Sequence, residues 1–462
     1  MERKDAEKKV DELLSRGAES FIDPENSFKN KLISKLTGEY TKDIFIKFGV
    51  DPTRPDIHLG HAVVLKSLRA FQDIGCKVIF LIGDFTGTIG DPTGKSKVRP
   101  EIDQSEIEHN MKTYLDQVGK ILKTDEKVFT WMRNSDWFVS PFDLKTEGMD
   151  SKVNDVSIDP NSTIGKAIIY EGTRMQVTHL KHKKVESVSF SNILWTLRHI
   201  THARLIERDM FQERLTKGES LYMHEMLYPV MQGIDSVILS KIYGSCDMEV
   251  GGNDQTFNML MGRDIMRLNK MEEQAVMSFN ILRGTDGKEK MSKSLDNYIA
   301  ITDEPHDMYG KVMSIPDHVM KEYFTLCTYT PLDEIEKMIE DSESGKVNPK
   351  DIKKRLAEEI VTIYHGSTAS AAAEEAFENT FSKGGTPEDM KEIVVTKESA
   401  LGDVLAEAGI VSSKTEWRRL VNDNAITNLD SGEKITDPAS TVSADISLKV
   451  GKYRFVKIKI GS

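Results

Sequence analysis

The sequence has few cysteines and no long apolar run, and its acidic residues outnumber its basic ones. Its 462 residues include only three cysteines, Cys76, Cys246 and Cys327, too few for a disulfide framework and without the spacing of a zinc site. No apolar run approaches the roughly 20 residues needed to cross a membrane. The charged N-terminal segment lacks the apolar core of a secretory signal and carries acidic residues that a transit peptide should lack. These absences predict a cytoplasmic protein without a membrane span.

The formal net charge of −12 argues against a protein that coats nucleic acid nonspecifically, because such binding depends on Lys and Arg at the phosphates. Residues 396–462 differ from the rest, since their ten Lys and Arg outweigh nine Asp and Glu by one. A chain of this length is expected to form two or three domains.

The coarse pattern predicts an α/β fold. Apolar runs at 44–50 and 77–83 flank a segment at 59–74 with helical spacing, which indicates a strand–helix–strand unit in a parallel sheet. Further helices are expected at 101–124 and 192–242. The irregular stretch at about 139–189 is interpreted as an insertion with some strands. We therefore predict a Rossmann-like catalytic domain over 1–315.

Two further domains are expected after it. A helical domain covers 316–390 and ends in the Gly-containing linker at 382–390. A small α+β domain covers 396–462, with two short helices at 400–408 and 414–421 followed by alternating strands.

The first chemical motif is His58-Leu59-Gly60-His61, at the predicted start of a helix. Two imidazoles three residues apart lie on one face of the helix. The free N–H groups and partial positive charge of a helix N-terminus suit a phosphate, and Gly60 permits close approach to the backbone. A pair of surface histidines is the competing interpretation of this motif alone.

The second motif is Lys290-Met291-Ser292-Lys293-Ser294, which follows a Gly-containing stretch. Two lysines three residues apart in a loop can bind a pyrophosphate leaving group as point charges. A solvated basic loop is the usual alternative. The string is rare enough by chance that its occurrence downstream of the histidine motif favours function.

Together, the two motifs resemble the signature of the class I aminoacyl-tRNA synthetases. The resemblance implies a Rossmann-like domain in which both motifs flank ATP. It also implies Mg²⁺ held mainly by ATP, and the sequence shows no ligand set for a metal bound by the protein itself.

A third group of residues indicates which amino acid such an enzyme would activate. Tyr228, Gln232 and Asp235 are spaced so that one helix face carries all three. Taken alone, they could be the solvent-facing side of an amphipathic helix. A Gly-Gly-Asn-Asp-Gln turn follows at 251–255, and Gly-Asp-Pro-Thr-Gly-Lys precedes at 90–95.

In this order, the motifs resemble the bacterial tyrosyl-tRNA synthetases over most of residues 1–330. Tryptophan enzymes share the two signature motifs but are not expected to carry the third group followed by the 251–255 turn. The resemblance implies that tyrosine's ammonium and carboxylate lie near Asp91, Tyr228, Gln232 and Gln255, and that its phenol meets Asp235. It places Asp51, Thr53, His58, Gly60, His61 and Gly252 beside ATP, and Asp254 on the ribose. It places Lys95, Arg99, Lys290 and Lys293 around the phosphates, so that His58, His61, Thr53 and these four basic residues form the expected catalytic set.

One position departs from the family pattern. Many relatives carry a tyrosine that helps bind the substrate hydroxyl at the position of Lys47. This leaves Asp235 as the hydroxyl partner that the sequence identifies. The insertion at 139–189 is also longer than expected, and we interpret it as a surface elaboration.

The C-terminal segment resembles the S4-like RNA-binding domain found at the end of bacterial tyrosyl enzymes. Lys414, Arg418 and Arg419 would form one basic helix edge that contacts tRNA phosphates. The family resemblance also implies L-tyrosine and tRNA(Tyr) as partners, and a homodimer.

The expected reaction has two steps. The tyrosine carboxylate attacks the α-phosphate of ATP, which gives tyrosyl-adenylate and pyrophosphate, and the terminal ribose hydroxyl of the tRNA then takes the tyrosyl group. Positioning and electrostatic stabilisation would supply the catalysis. The alternatives are a small-substrate nucleotidylyltransferase, which can also carry the histidine motif, and a noncatalytic RNA-binding paralogue, which should have lost signature residues.

Overall fold

The protein is described by a computed structural model. The structure describes residues 1–52, 57–91, 104–139, 142–149, 167–170, 173–180, 187–381, 390–411, 413–451 and 454–461. The chain divides into two compact units, Met1–Leu282 and Arg283–Ser462.

The first unit alternates helices and strands. Its described elements are, in chain order, α1 (Arg3–Ser15), β1 (Ala18–Ile22), α2 (Ser27–Thr37), β2 (Phe45–Val50), α3 (Leu59–Asp73), β3 (Lys77–Ile82), α4 (Asp84–Ile89), α5 (Gln104–Val118), β4 (Phe129–Arg133), α6 (Ser135–Phe138), β5 (Phe142–Met149), β6 (Ala167–Tyr170), β7 (Thr173–Leu180), α7 (Phe190–Leu197), α8 (His202–Ile206), α9 (Asp209–Thr216), α10 (Met223–Tyr243), β8 (Met248–Gly252), α11 (Thr256–Leu268) and β9 (Ala275–Phe279).

Six of these strands form one sheet in the order β1-β9-β8-β2-β3-β4. Five of them are parallel, and β1 runs antiparallel to β9 at the edge. The apolar run of β3 is almost wholly buried, as expected for a parallel strand covered on both faces. Strands β2, β3 and β4 follow each other to one side, whereas β8 and β9 lie on the other. The chain therefore reverses its winding direction between β2 and β8, and ligands of open α/β sheets bind at such a point. The predicted α/β fold class is confirmed.

Helix α10 is the longest element of this unit, with 21 residues. Its outer turns are secured at both ends: the Glu225 carboxylate accepts the backbone N–H of Tyr222 at 2.9 Å, and Gly244 adopts the left-handed conformation that ends the helix. Apolar residues of α10 pack with those of β2, β3 and α11 in one core cluster. This packing holds α10 firmly against the sheet, so its side chains have fixed positions.

The stretch at 139–189 contains the expected strands. Strands β5, β7 and β6 form a separate three-stranded antiparallel sheet in that order.

Two helical predictions need correction. The helix expected over 101–124 ends at Val118, where Gly119 and a turn follow. The segment expected to be helical over 192–242 is four helices, α7 to α10, because short turns interrupt the pattern.

The second unit begins with a loop and continues with helices. Its described elements are α12 (Pro305–Met313), α13 (Met320–Cys327), α14 (Leu332–Glu343), α15 (Pro349–His365), α16 (Ser367–Phe381), β10 (Lys391–Val395), α17 (Leu401–Glu407), α18 (Lys414–Asn422), β11 (Ile426–Asn428), β12 (Ile446–Val450) and β13 (Arg454–Ile460). The predicted linker at 382–390 lies almost entirely outside the described residues.

The last four strands form a sheet in the order β10-β13-β12-β11. Strand β10 pairs in parallel with β13, so this sheet begins at Lys391, five residues before the predicted domain start at 396. Helices α17 and α18 cover the sheet, and Trp417 and Leu405 lie in a core whose buried members all come from residues 401–458. This C-terminal module therefore has a hydrophobic core of its own.

Candidate active site

The candidate site lies at the carboxyl ends of β2 and β8, where the winding of the sheet reverses. Asp51 directly follows β2, and Gly252 is the last residue of β8. Because parallel strands end at the same edge, the loops after them converge on one region. The described residues predicted for the site in the first unit come from the loops after β2 and β8, the start of α3, the end of α4 and the length of α10.

The histidine motif starts helix α3, as predicted. His58 is the N-cap residue and is buried, whereas His61 lies in the first turn and is exposed. The two rings stack with centroids 3.9 Å apart, and the His61 Nδ1 accepts the backbone N–H of His58 at 3.4 Å. The motif thus presents two imidazoles next to the N-terminal amides of α3, beside half-buried Gly60.

The face of α10 formed by Tyr228, Gln232 and Asp235 points into the protein rather than to solvent. Tyr228 and Asp235 are 6% and 3% exposed. The solvent-facing alternative for this stripe is therefore wrong. A buried polar stripe needs hydrogen-bond partners, and each of the three residues has them.

Asp235 lies at the deep end of the stripe. Its carboxylate accepts the indole N–H of Trp137 at 2.9 Å and a hydrogen bond from Asn134. Burial raises the pKa of this carboxyl to about 7, although the charge of Lys47 and the two hydrogen bonds act to lower it. A buried carboxyl oxygen can accept a phenol O–H, and the phenol is the group that the resemblance assigns to Asp235.

Tyr228 lies at the opposite end and links the stripe to β2. Its hydroxyl donates to one Asp51 oxygen at 2.8 Å, and the Thr86 hydroxyl donates to the other at 2.8 Å. The Asn134 amide donates to Thr86 at 2.9 Å. Asn134 therefore connects both ends of the stripe. Gly83 has no room for a Cβ, which would overlap the Asp51 carboxylate and the Thr86 hydroxyl.

A second chain of hydrogen bonds joins the amides of the site. The Asn258 side-chain N–H group donates to the oxygens of Gln232 and Gln255, each at 3.0 Å. Gln255 in turn donates to Asp91 at 2.6 Å, and Arg208 forms an ion pair with the other Asp91 oxygen at 2.9 Å. The residues expected around the tyrosine ammonium and carboxylate are therefore brought together.

Lys47 occupies the position where many relatives have a tyrosine. Its side chain is fully buried and lies under α10, where it pairs with Glu249 at 2.9 Å. The Lys47 charge acts on Asp235 across the core and favours its ionised form.

Asp254 and Gly252 lie in the turn after β8. Asp254 is exposed in a short 3₁₀ helix, Asn253–Gln255, and a Cβ at Gly252 would approach the Asp254 carboxylate to 2.6 Å. Both positions suit a ligand at the sheet edge. Three expected residues, Thr53, Lys95 and Arg99, lie outside the described residues.

The lysine motif belongs to the second unit. Lys290 is exposed and Lys293 is half-buried in a short 3₁₀ helix, Lys293–Leu295. The loop is organised by buried Asn297, whose side chain accepts the Ser292 N–H at 2.8 Å and donates to Asp286 at 2.8 Å. Two lysines thus project from a loop with a defined backbone.

The basic edge of α18 is exposed, as predicted. Lys414, Arg418 and Arg419 all face solvent. Lys414 forms an ion pair with Asp403 at 2.7 Å, and Arg419 lies 3.6 Å from Asp296. Surface pairs of this kind are weak, so these cations can exchange partners with phosphate.

Sequence reasoning missed several supporting residues, namely Thr86, Asn134, Trp137, Arg208, Glu249 and Asn258. Their partners are distant in the chain, so spacing gives no signal. Glu249 alone could have been found: a charged residue inside the apolar strand beside the 251–255 turn needs a buried partner, and Lys47 occupies the equivalent place in β2.

The described part of the chain shows neither a metal-binding cluster nor a membrane-spanning helix. No group of three or more His, Cys, Asp or Glu residues there is arranged to hold a metal ion. Within the same residues, no helix is long and apolar enough to cross a membrane. All three cysteines are buried and unpaired by disulfides.

The chain is similar to known proteins over almost its whole length. The family model for class I tRNA synthetases (W and Y) matches residues 39–146 and 163–382, and the unmatched gap lies within the predicted insertion. A tyrosine–tRNA ligase from Mannheimia succiniciproducens is 39% identical over 430 residues, which cover 93% of this chain and 94% of that protein. Another from Desulfotalea psychrophila is 39% identical over 451 residues and 97% of each chain.

Solved structures agree on the fold. A C-terminally truncated mitochondrial tyrosyl-tRNA synthetase from Aspergillus nidulans has a TM-score of 0.57 at 20% identity and covers 82% of this chain and 99% of its own. A tyrosyl-tRNA synthetase from Archaeoglobus fulgidus, solved in complex with L-tyrosine, has a TM-score of 0.53 at 19% identity. The match covers 79% of this chain and 99% of that one. By fold, by family model and by full-length similarity, the chain belongs to the class I aminoacyl-tRNA synthetases of the tryptophan and tyrosine family.

Proposed function

We propose that this protein is a tyrosine–tRNA ligase, which activates L-tyrosine with ATP and transfers it to the 3′ end of tRNA(Tyr). The observation that carries the proposal is the buried stripe on α10. Tyr228, Gln232 and Asp235 are each hydrogen-bonded within the first unit, and Asp235 offers a charged acceptor at its deep end. A site that hydrogen-bonds a hydroxyl rejects the analogue that lacks it; this enzyme class is the standard example of that principle.

The proposed roles divide by chemistry. Asp91, Tyr228, Gln232 and Gln255 bind the tyrosine ammonium and carboxylate. Asp51, Gly252 and Asp254 meet the adenosine. His58, His61, Thr53, Lys95 and Arg99, together with the Lys290 and Lys293 side chains, stabilise charge on the phosphates. No side chain acts as a nucleophile, because the tyrosine carboxylate itself attacks phosphorus.

Mg²⁺ is expected to enter with ATP, held mainly by its phosphates. The ion would neutralise phosphate charge, while the residues above orient the substrates.

We also propose a homodimer in the cytoplasm. Among the described residues, six of the fourteen exposed large apolar side chains fall between positions 190 and 223, including Phe190, Trp195 and Met223. Such a concentration is typical of a protein–protein interface. Trp195→Glu should shift the protein toward monomer in light scattering, whereas Val347→Glu, at an exposed apolar residue of the second unit, should not.

The decisive experiment is ATP–pyrophosphate exchange tested with each of the twenty amino acids. Exchange should require tyrosine, with phenylalanine several orders of magnitude less effective. Exchange with tryptophan in place of tyrosine would reject the assignment. Turnover of a small substrate to a stable product without tRNA would instead support the nucleotidylyltransferase alternative.

A further inference from the structure

A buried ion pair lies directly beneath the candidate tyrosine site. Strands β2 and β8 are neighbours, and their register places Lys47 opposite Glu249. Both side chains therefore project from the same face of the sheet, toward α10, at the point where the winding direction reverses. Neither residue has exposed side-chain surface beyond 1%.

The Lys47 ammonium has three acceptors for its three protons. It donates to the Glu249 carboxylate, the Ser236 hydroxyl and the backbone carbonyl of Gln232, each at 2.9 Å. Two of these acceptors belong to α10. The lysine therefore attaches the part of α10 that carries the tyrosine-facing stripe to the sheet.

The Glu249 carboxylate is equally well satisfied. One oxygen accepts Lys47 and the side-chain N–H of Gln232 at 2.9 Å. The other accepts Ser236 at 3.3 Å and Gln274. Because Gln232 donates to Glu249, its oxygen must face the other way, where it accepts from Asn258. The ion pair thus decides which end of the Gln232 amide faces the site.

The pair also contributes to the charge balance around Asp235. The charged groups that act on Asp235 are Lys47 from β2, which favours its ionised form, and Glu249 from β8, which opposes it. Tyr228, on the same helix, remains protonated, because burial and the charge of Asp51 raise its pKa well above the usual value. Lys47 is therefore the cation that acts on the carboxylate expected to receive the phenol.

We propose that Lys47 and Glu249 are a positioning pair that selects tyrosine: together they fix the Gln232 amide and the α10 segment that carries Asp235. The inference rests on the proposed function and extends it to residues that touch no substrate. It also gives a role to Lys47, at the position where the family resemblance led us to expect a tyrosine. The position would support the hydroxyl-binding residue from behind rather than bind the hydroxyl itself.

Three variants test the pair: Lys47→Met, Glu249→Gln and the double variant that combines them. Lys47→Met keeps the length of the side chain but leaves a buried carboxylate unpaired. The double variant leaves no unpaired charge, so we expect it to fold even where the single variant does not. Glu249→Gln retains an oxygen and nearly the same shape.

Each variant is assayed by pyrophosphate exchange with tyrosine and with phenylalanine. We expect Lys47→Met to raise the KM for tyrosine roughly tenfold or more, with a smaller effect on kcat, because ground-state positioning is lost. The ratio of tyrosine to phenylalanine in kcat/KM should fall by about the same factor. In the double variant, the KM for tyrosine should return partway to the wild-type value, because Gln232 regains a neutral partner. The tyrosine-to-phenylalanine ratio should stay low, because Asp235 still lacks its cation.

Lys31→Met is the matched control. It breaks another ion pair of the same unit, at 2.8 Å from Asp247, away from the α10 stripe. This control should lower the melting temperature without changing the tyrosine-to-phenylalanine ratio.

A folded double variant with wild-type KM and ratio would overturn the proposal, as would equal losses for both amino acids in Lys47→Met. The wild-type assay separately tests the proposed function, because it identifies the amino acid without reference to any variant.

Discussion

The hydroxyl of Tyr228 donates to the carboxylate of Asp51 at 2.8 Å, although the two residues lie 177 positions apart. One belongs to α10 and the other to the loop that follows β2. The contact joins the helix that carries the tyrosine-facing stripe to the loop expected to meet ATP. The two substrates of the proposed reaction would therefore be aligned by a single hydrogen bond.

Removing that hydroxyl should impair activation of any amino acid. In Tyr228→Phe, we expect kcat/KM to fall. The loss should correspond to about 1.5–3 kcal/mol of transition-state stabilisation, the range for a hydrogen bond to a charged group. Tyrosine and phenylalanine should lose equally, since the hydroxyl lies away from Asp235. Tyr243→Phe is the matched control on the same helix, because its hydroxyl contacts only Thr130, at 3.2 Å, among the contacts described. A larger loss for tyrosine than for phenylalanine would contradict the assigned role.

Asp235 should decide between those two amino acids. Asp235→Asn keeps the shape of the side chain but removes the anionic acceptor, so tyrosine activation should fall far more than phenylalanine activation. We expect roughly a hundredfold loss of discrimination, measured as the ratio of the two kcat/KM values. Equal losses would mean that Asp235 supports the fold and that the phenol binds elsewhere.

The same carboxyl should make stability depend on pH. Its pKa is about 7 in the folded protein against an unfolded value of 3.8. Between these two values the folded state holds a proton that the unfolded state has lost. The contribution of Asp235 to stability is therefore present below pH 4 and is lost as the pH rises toward 7. At pH 8, the free energy of unfolding of Asp235→Asn should exceed that of the wild type by about 1–4 kcal/mol. This difference should shrink toward pH 5. Urea unfolding at several pH values measures the difference.

The lysine motif should act on the chemical step. Lys290→Ala and Lys293→Ala should each slow adenylate formation with little effect on tyrosine affinity, because the charge that they meet develops at the phosphates. A loss of about 2.7–4 kcal/mol is expected by analogy with a single oxyanion donor. Lys288→Ala, at an exposed lysine of the same loop, is the control and should be near normal. Unchanged pre-steady-state activation rates in both variants would exclude the assignment.

The sequence predicted the parts of the site that obey a local period. The stripe on α10, the capping histidines and the first two parallel strands follow from spacing and apolar runs, and the structure contains them. The supporting contacts follow no such rule. Trp137 meets Asp235 across 98 positions, and Lys47 meets Ser236 across 189. Such contacts depend on strand order and register, which a single sequence does not specify.

The same reasoning explains the misjudged boundaries. The helix expected to reach 124 ends at Val118, because Gly119 and a turn follow, although buried Ile121 and Leu122 continue the apolar pattern beyond it. The predicted domain start at 396 leaves out strand β10, because only the pairing of β10 with β13 places it in the sheet.

The C-terminal module should serve the second step alone. Every residue assigned to tyrosine or ATP lies between Asp51 and Lys293. The module has its own core, so truncation after Phe381 removes β10 to β13 without opening the cores of the preceding elements. The truncated protein should bind tyrosine and exchange pyrophosphate at a near-normal rate.

Charging of tRNA by that truncated protein should be poor, with the defect in tRNA affinity. The module carries a net charge of about +1 on an otherwise acidic chain, and exposed Lys414, Arg418 and Arg419 suit phosphate contacts. Binding of tRNA to the full chain should weaken as salt rises. For the truncated protein, the logarithm of the affinity should fall less steeply with the logarithm of the salt concentration, because fewer counterions are released. The triple variant Lys414→Ala, Arg418→Ala, Arg419→Ala should reproduce the reduced slope in the full chain, and Lys434→Ala, at an exposed lysine of the same module outside α18, should not. Normal charging by the truncated protein would mean that the module does not bind tRNA.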